Sequence, residues 1–160
     1  QPDDTLIYHD NNVKLRWKDY KATPDPDFGA IAVSYVGFRM SYKGTARQDS
    51  LIVIVEAFFD PKISWTKPDT TAYTLSHEQL HFDITELYAR TLRKALKENI
   101  FSRADLNKIR VISDQVLDQW SKEQDNYDKK TNHGINKPQQ KYWENTIEKR
   151  LNALQEFASP

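Results

Sequence analysis

Residues 74–90 read TLSHEQLHFDITELYAR and contain the pattern H-E-x-x-H at His77, Glu78 and His81. In an α-helix each residue turns the chain by about 100°, so the two histidines lie about 40° apart on one face. Two imidazoles on adjacent turns can bind one metal ion, and the Glu78 carboxylate flanks the open side of that ion. The pattern therefore predicts a helical Zn²⁺ site in which Glu78 is the general base of a hydrolase.

The other carboxylates of this helix do not complete the site. Asp83 and Glu86 lie about 240° and about 180° round the helix from His77, so both point away from the histidine face. A catalytic zinc uses three protein ligands and leaves one position for water. The third ligand must therefore come from another part of the chain.

The chain has four histidines and no cysteine, so His9 and His133 are the remaining nitrogen ligands. His133 stands beside Gly134, which allows a sharp turn, in a segment that we predict to be a loop. His9 lies among polar residues near the start of the chain and is interpreted as an exposed surface histidine. Elimination favours His133 as the third zinc ligand, and the carboxylates of Asp125 and Asp128 stay open as alternatives.

Three side chains are candidates for orienting an imidazole or for binding a developing oxyanion, namely Tyr88, Tyr127 and Asp128. Tyr88 lies about 20° from His77 round the helix, and core packing beneath the site is an equally good interpretation of it. Solvent exposure in a loop is the simpler interpretation of Asp128.

The first third of the chain predicts strands. Val13–Trp17 alternates apolar and basic residues, as a half-exposed strand does. Ala30–Tyr42 is rich in β-branched and aromatic residues, and its alternation slips near Gly37, which predicts a bulge or a close backbone contact there. Leu51–Phe59 is apolar on both faces apart from Glu56, so we expect a buried strand that pairs back on the previous one.

The rest of the chain predicts helices. The motif helix spans residues 71–99, a second helix follows Ser102, and a third spans about 139–157 after the loop Tyr127–Lys137. Within the second helix, four apolar residues at helical spacing predict a core stripe: Ile109, Ile112, Val116 and Trp120. Strands followed by helices indicate an α+β fold, with a small N-terminal β-sheet packed on a helical C-terminal half. We expect one domain over residues 1–160, β-rich in 1–65 and helical in 70–157.

The composition excludes several classes of function. Twenty-three basic residues balance 23 acidic residues, so the net charge is zero, and nucleic-acid binding is not expected. No apolar run approaches the length of a transmembrane helix. We expect a monomer that acts on a peptide or protein substrate.

Three blocks carry a family resemblance: SW at 64–65, HEQLHFDITELYAR at 77–90 and YDKKTNHGIN at 127–136, with QKYW at 140–143 beyond them. They resemble a bacterial family of uncharacterised secreted or envelope proteins with an H-E-x-x-H helix, a family like domain of unknown function 922 that is suspected of zinc peptidase activity. The likeness extends from Leu15 to the last helix. It implies a zincin-like fold, export from the cytoplasm and a functional His133.

The resemblance also implies how a substrate binds. Zinc peptidases with this helix generally lay an extended substrate along an edge strand above it, and here Ala30–Tyr42 or Leu51–Phe59 would be that edge. The chain begins at Gln1 and lacks cysteine. Together with the resemblance, this leads us to expect an exported protein, periplasmic, envelope-associated or secreted, whose leader is removed or lies outside the sequence.

The sequence thus predicts a zincin-like zinc metallopeptidase in which His77, His81 and His133 bind Zn²⁺ and Glu78 is the general base. One alternative is a catalytically degenerate relative that binds metal or a partner and cleaves nothing. Another is a helical interaction module in which the motif is coincidental.

Overall fold

The computed structural model describes residues 5–45, 48–100 and 102–159, and its strands precede its helices along the chain. The fold is α+β, with two small sheets and a helical C-terminal half. The strands are β1 (Ile7–Tyr8), β2 (Ala32–Val33), β3 (Val36–Thr45), β4 (Gln48–Phe59) and β5 (Trp65–Thr66). The helices are α1 (Ala72–Asn99), α2 (Leu106–Thr131) and α3 (Lys137–Ala153), with 3₁₀ turns at Trp17–Asp19, Arg103–Asp105 and Gln155–Phe157.

The larger sheet has the order β1-β4-β3, and all its pairs are antiparallel. The predicted pairing of the strand that ends at Phe59 with the strand before it is confirmed. The expectation that this strand is buried on both faces is wrong, since Val55 and Ala57 are buried but Ile52 is 60% exposed. Tyr42 of β3 is also 54% exposed, so both strands of the β3–β4 hairpin present large side chains to solvent.

The segment from Val13 to Trp17 is not a strand, contrary to the prediction. Val13 makes an isolated bridge with Asp10, and Trp17 begins a 3₁₀ turn. The backbone N–H of Leu15 donates a hydrogen bond to Gln79 Oε1 on α1, 2.8 Å away. This segment is therefore attached to the motif helix instead of to a sheet.

The predicted strand Ala30–Tyr42 is divided in two. Strand β2 ends at Val33 and pairs with β5, and β3 begins at Val36 and pairs with β4. Gly37 lies against Phe58, where a Cβ atom would stand 3.0 Å from the ring, so the predicted close contact is confirmed. The register shift of this pair occurs instead between Gly44 and Thr45.

Helix α1 forms where the sequence predicts it and packs against β4 and both other helices. The Thr71 side chain caps its first turn by accepting a hydrogen bond from Thr74 N at 3.0 Å. Its middle turns are buried on almost every side, including Phe82, Ile84 and Leu87. The motif helix is thus the central element of the core, and this fixes the direction of its histidine face.

Helix α2 differs from the prediction at its C-terminal end. It continues to Thr131, so the predicted loop Tyr127–Lys137 is reduced to a turn over residues 132–136. Tyr127 is completely buried and packs against Trp143 of α3, with ring centroids 5.4 Å apart. This packing keeps a polar segment helical, because a buried aromatic contact outweighs weak local propensity.

The predicted stripe on α2 is confirmed, since Ile109 and Val116 are buried and their two partners pack against the core. Ser102 and Asp105 form a capping box at the 3₁₀ turn that precedes α2. Within the described ranges, no helix has the length and apolar character needed to cross a bilayer.

Candidate metal centre

Helix α1 places both motif histidines on the face that meets the last turns of α2. His77 Nε2 and His81 Nε2 each lie 3.1 Å from the same oxygen, Oδ1 of Asp128. Their rings are nearly perpendicular, with centroids 5.0 Å apart. The i, i+4 spacing on α1 and one carboxylate from α2 therefore bring three ligand atoms together at one point.

The position of the proton on His77 follows from its neighbours. His77 Nδ1 lies 2.9 Å from Gln140 Oε1 and 2.8 Å from the Tyr127 hydroxyl. Gln140 donates its Nε2 hydrogen to Glu144 at 3.2 Å, so its oxygen faces the imidazole. The Tyr127 hydroxyl in turn donates to Gln140 Oε1, 2.8 Å away. His77 Nδ1 must therefore carry a hydrogen, which leaves the Nε2 lone pair free for a metal.

His81 is oriented in the same way by a residue of α2. Its Nδ1 lies 2.6 Å from Gln124 Oε1. Gln124 donates its Nε2 hydrogens to His81 O at 2.9 Å and to Thr85 Oγ1 at 3.2 Å, so its oxygen points to the ring. Both imidazoles thus donate from Nδ1 and direct Nε2 toward Asp128.

Electrostatics couple the histidines to Asp128. Burial tends to lower the pKa of His81, but its hydrogen bond to the Asp128 carboxylate and the charge of Glu78 act in the opposite direction, and the pKa of His81 is raised above its usual value. Burial tends to raise the pKa of Asp128, but its hydrogen bonds with His77 and His81 lower it strongly. Asp128 therefore places a negative charge beside the two imidazoles, and such a group could hold a cation.

These side chains fit a zinc ion. The ligand atoms of His77, His81 and Asp128 all lie within 4.8 Å of one another. Two imidazole nitrogens and one carboxylate oxygen form one of the ligand sets of catalytic zinc. With their Nδ1 hydrogens already bound by glutamine oxygens, the two histidines are held for coordination through Nε2.

Glu78 is held by a residue of the loop after β2. Its Oε2 accepts a hydrogen bond of 2.5 Å from Ser34 Oγ. The Ser34 hydroxyl is also 2.8 Å from the hydroxyl of buried Tyr20. Among the described residues Ser34 binds only one of the two carboxylate oxygens, so the other can accept a proton from water.

A tight turn closes the site on the side of α3. Asn132, His133 and Gly134 all have positive φ, at 49°, 51° and 85°. A Cβ atom on Gly134 would lie 3.2 Å from Cγ and Nδ1 of His77, so glycine is required both for the backbone and for the space. The Tyr73 hydroxyl donates to Gly134 O at 2.5 Å and fixes the turn to α1.

His133 stands at the rim of the site. Its side chain is 73% exposed, and its Nδ1 lies 3.6 Å from Asp128 Oδ1. The ligand atoms that lie close together belong to His77, His81 and Asp128, whereas His133 lines the cavity above them. Its assignment as the third ligand stays a prediction.

The other predicted candidates lie elsewhere. Tyr88 donates to Glu123 Oε2 at 3.4 Å and is not among the residues that line the cavity. Asp125 is exposed on α2. The interpretation of His9 as an exposed histidine is wrong: it is buried, and its Nε2 binds Asp83 at 2.9 Å.

Sequence reasoning missed three residues that position the site: Ser34, Gln124 and Gln140. Gln124 precedes Asp128 by one helical turn, so extending the second predicted helix would have placed both on one face. The sequence carries no comparable signal for Ser34 or Gln140, because each approaches the site from an element that is distant in the chain.

A cavity of about 710 Å³ opens above the three ligand atoms. One wall is the segment Phe28–Ser34, and the opposite side includes His133 and Ile135 of the tight turn. His77, Glu78, His81 and Asp128 are also in its lining. The size lies within the range of about 300–1,000 Å³ that is usual for ligand sites.

The chain is thus an α+β protein in which an H-E-x-x-H helix and an aspartate of a second helix form a candidate metal site. The sequence model of a family described as a bacterial protein of unknown function, DUF922, matches residues 57–134. The match spans just under half of the chain, includes both motif histidines, Glu78, Asp128 and His133, and supports assignment to that family. No curated protein and no solved structure gives a significant match.

Proposed function

We propose that this protein is a zincin-like, zinc-dependent peptidase. The observation that carries the proposal is the convergence of His77 Nε2, His81 Nε2 and Asp128 Oδ1 at the floor of a cavity that Glu78 also lines. Asp128 takes the position of third ligand for which the sequence predicted His133, because its oxygen is already 3.1 Å from both imidazoles.

When bound, a zinc ion lowers the pKa of a water molecule and polarises a carbonyl group. The residues of the chain manage the protons. Glu78 accepts a proton from the attacking water at the carboxylate oxygen that Ser34 does not bind, and returns it to the leaving amine. Ser34 and Tyr20 keep the carboxylate turned toward the cavity throughout.

The wall beside Glu78 favours an extended peptide as substrate. Lys67 N donates to Ile31 O at 2.8 Å, and Ala32 is paired with Thr66, so the N–H and C=O of Ala32 point away from β5. The other edge of β5 is bridged by Ala22. Among the strands that the structure describes, β2 is therefore the open edge of this sheet, and an extended peptide in the cavity can pair with Ala32.

The test is metal content together with turnover. Purified protein is loaded with zinc, and its activity on a mixed peptide library is compared with that of Glu78→Gln. We expect one zinc per chain in both proteins and a loss of about 10²–10⁴-fold in rate in the variant, because glutamine cannot accept the proton. Unchanged turnover in Glu78→Gln would remove Glu78 from this role. Zinc without any turnover in the wild type would favour the metal-binding alternative.

We also propose export, on the strength of the family resemblance. Locating the full-length product in its native cell tests this part. We expect it outside the cytoplasm, and recovery only as an unprocessed cytoplasmic protein would contradict it.

A further inference from the structure

The cavity above the candidate metal centre has largely apolar walls. Phe28, Ile31 and Ile135 line it and are 52%, 47% and 74% exposed. Ala30, Ala32 and Val33, on the same segment as Phe28 and Ile31, also line the cavity. Large apolar side chains exposed around a polar centre are characteristic of a ligand site, because the ligand covers them.

Charged groups are confined to the floor. Apart from the histidines, Glu78 and Asp128 are the only acidic or basic residues in the described lining of the cavity. An acidic side chain that packs against these apolar walls would lose its hydration. The described rim offers no lysine or arginine to compensate.

The wall formed by the segment before β2 is held in place. The Phe28 ring packs edge-on against Trp65, with centroids 5.8 Å apart. Lys67 Nζ donates to Phe28 O at 2.5 Å, and Lys67 N donates to Ile31 O. This side of the cavity is therefore formed before any ligand binds.

The opposite wall is equally fixed. Ile135 N donates to Asn132 O at 3.1 Å, and Asn136 N donates to Thr131 O at 2.8 Å. The hydrogen bond from Tyr73 to Gly134 O attaches the same turn to α1. Ile135 is thus exposed because the turn presents it to the cavity, and it gains little from packing within the chain.

We propose that Ile31, Ile135 and Phe28 form a specificity pocket that selects peptides with a bulky apolar side chain next to the bond held at the metal centre. The proposal rests on the proposed function for the position of that bond. The preference itself is a property of binding, which can be measured without cleavage.

The experiment uses the full chain carrying Glu78→Gln, in buffer with zinc, so that bound peptides stay intact. The probes are short fluorescein-labelled Gly-Ser peptides that differ at one central residue: Leu, Phe, Ser or Asp. A single methylene in an apolar pocket changes discrimination about 10–200-fold, so we expect the Leu and Phe peptides to bind at least about tenfold more tightly than the Ser and Asp peptides.

Matched isoleucine variants locate the preference. Ile135→Ser and Ile31→Ser change exposed side chains of the pocket, and Ile52→Ser changes a 60% exposed isoleucine of β4 that does not line it. We expect the first two to weaken binding of the Leu peptide about tenfold and Ile52→Ser to leave it within about twofold.

Equal binding of all four peptides, binding of none, or an equal loss in all three variants would overturn the proposal. Its failure is distinguishable from failure of the proposed function. A wild type that binds apolar peptides selectively but never cleaves them would leave the pocket in place and remove the peptidase. A wild type that cleaves peptides equally well whatever side chain stands next to the cleaved bond would leave the peptidase in place and remove the specificity pocket.

Discussion

Helix α1 carries two histidine–aspartate contacts with opposite characters. At the candidate metal centre, one oxygen of Asp128 lies 3.1 Å from two imidazoles beneath an open cavity. On another face of the same helix, two residues after His81, Asp83 binds the single imidazole of His9, whose side chain is 3% exposed. The two contacts use the same chemical groups, but only the first directs two imidazole nitrogens to a common point.

The contact between His9 and Asp83 has a structural role. Asp83 Oδ1 also accepts from Gln79 Nε2 at 2.9 Å, and Oδ2 lies 3.6 Å from Lys14 Nζ. Burial tends to raise the pKa of Asp83, but its hydrogen bond with His9 and its neighbouring charges lower it overall. Gln79 and Asp83 thus fasten the N-terminal segment to α1, and the His9 ring packs edge-on against Phe82 at 5.0 Å.

The comparison shows what makes a histidine–aspartate contact a candidate metal site. Convergence of several lone pairs, an open face and fixed Nδ1 hydrogens occur together at Asp128, whereas the carboxylate oxygens of Asp83 are both engaged by the protein. A buried aspartate that hydrogen-bonds a single histidine, as Asp83 does, indicates a structural contact and not a metal site.

The largest expected difference is between Asp128→Asn and Asp83→Asn. Asparagine at 128 removes the anionic ligand, so zinc affinity should fall by more than about 100-fold, the upper end for loss of a residue that only orients a ligand. Asp83→Asn should keep zinc and lower the free energy of unfolding by about 1–3 kcal/mol, because a buried hydrogen-bonded group loses its charge-assisted partner. Competition with a zinc chelator and chemical denaturation measure the two quantities. Equal zinc affinity in the two variants would contradict the distinction.

A smaller effect is expected from Gln140→Met, which keeps the volume but removes the acceptor for His77 Nδ1. Zinc affinity should fall about 10–100-fold, and toward the lower end because the Tyr127 hydroxyl can still accept that hydrogen. Gln139→Met, one residue earlier on the same helix, is the matched control and should have no effect. The same chelator competition serves as the measurement, and a loss in both variants would point to disruption of α3.

His133→Ala sharpens the comparison further when it is paired with His9→Ala. We expect less than about a tenfold loss of zinc affinity from His133→Ala, because its ring is exposed at the rim, and none from His9→Ala, which should unfold more easily. Metal analysis of the folded variants decides the ligand set. A loss in His133→Ala as large as that in Asp128→Asn would restore the sequence-based assignment of His133 as a zinc ligand.

The smallest expected effect is a pH dependence of the metal-free protein. The raised pKa of His81 favours the folded state at low pH, and this contribution disappears as the pH rises through that raised value. The lowered pKa of Asp128 acts oppositely, since its contribution is lost only as the pH falls through its lowered value. Between about pH 5 and about pH 8 the metal-free wild type should therefore lose stability.

Thermal unfolding in excess chelator measures this change, and Asp128→Asn provides the control because it removes the partner of His81. We expect a smaller fall in Tm in the variant over the same interval. Identical pH profiles would show that the two groups are not coupled in solution. Added zinc should reverse the trend, since imidazole binds metal only when Nε2 is deprotonated.

Local patterns in the sequence were sufficient for part of this molecule. The pattern of residues 71–99 predicted α1 to within one residue of its observed bounds and placed His77 and His81 on one face, because these features depend on residues about one turn apart. The apolar, β-branched run that ends at Phe59 predicted a strand that pairs back on the strand before it, as β4 does on β3. The class of the fold followed from the order of these elements.

Only the tertiary structure decided which side chains complete the site. Asp128 comes 47 residues after His81, and Ser34 comes 44 residues before Glu78. Burial of Tyr127 kept α2 helical past the point where its polar composition predicted a loop, and this turned Asp128 inward and left His133 at the rim. Local spacing determines the face of a helix, whereas the partner that meets this face is selected by packing between distant elements.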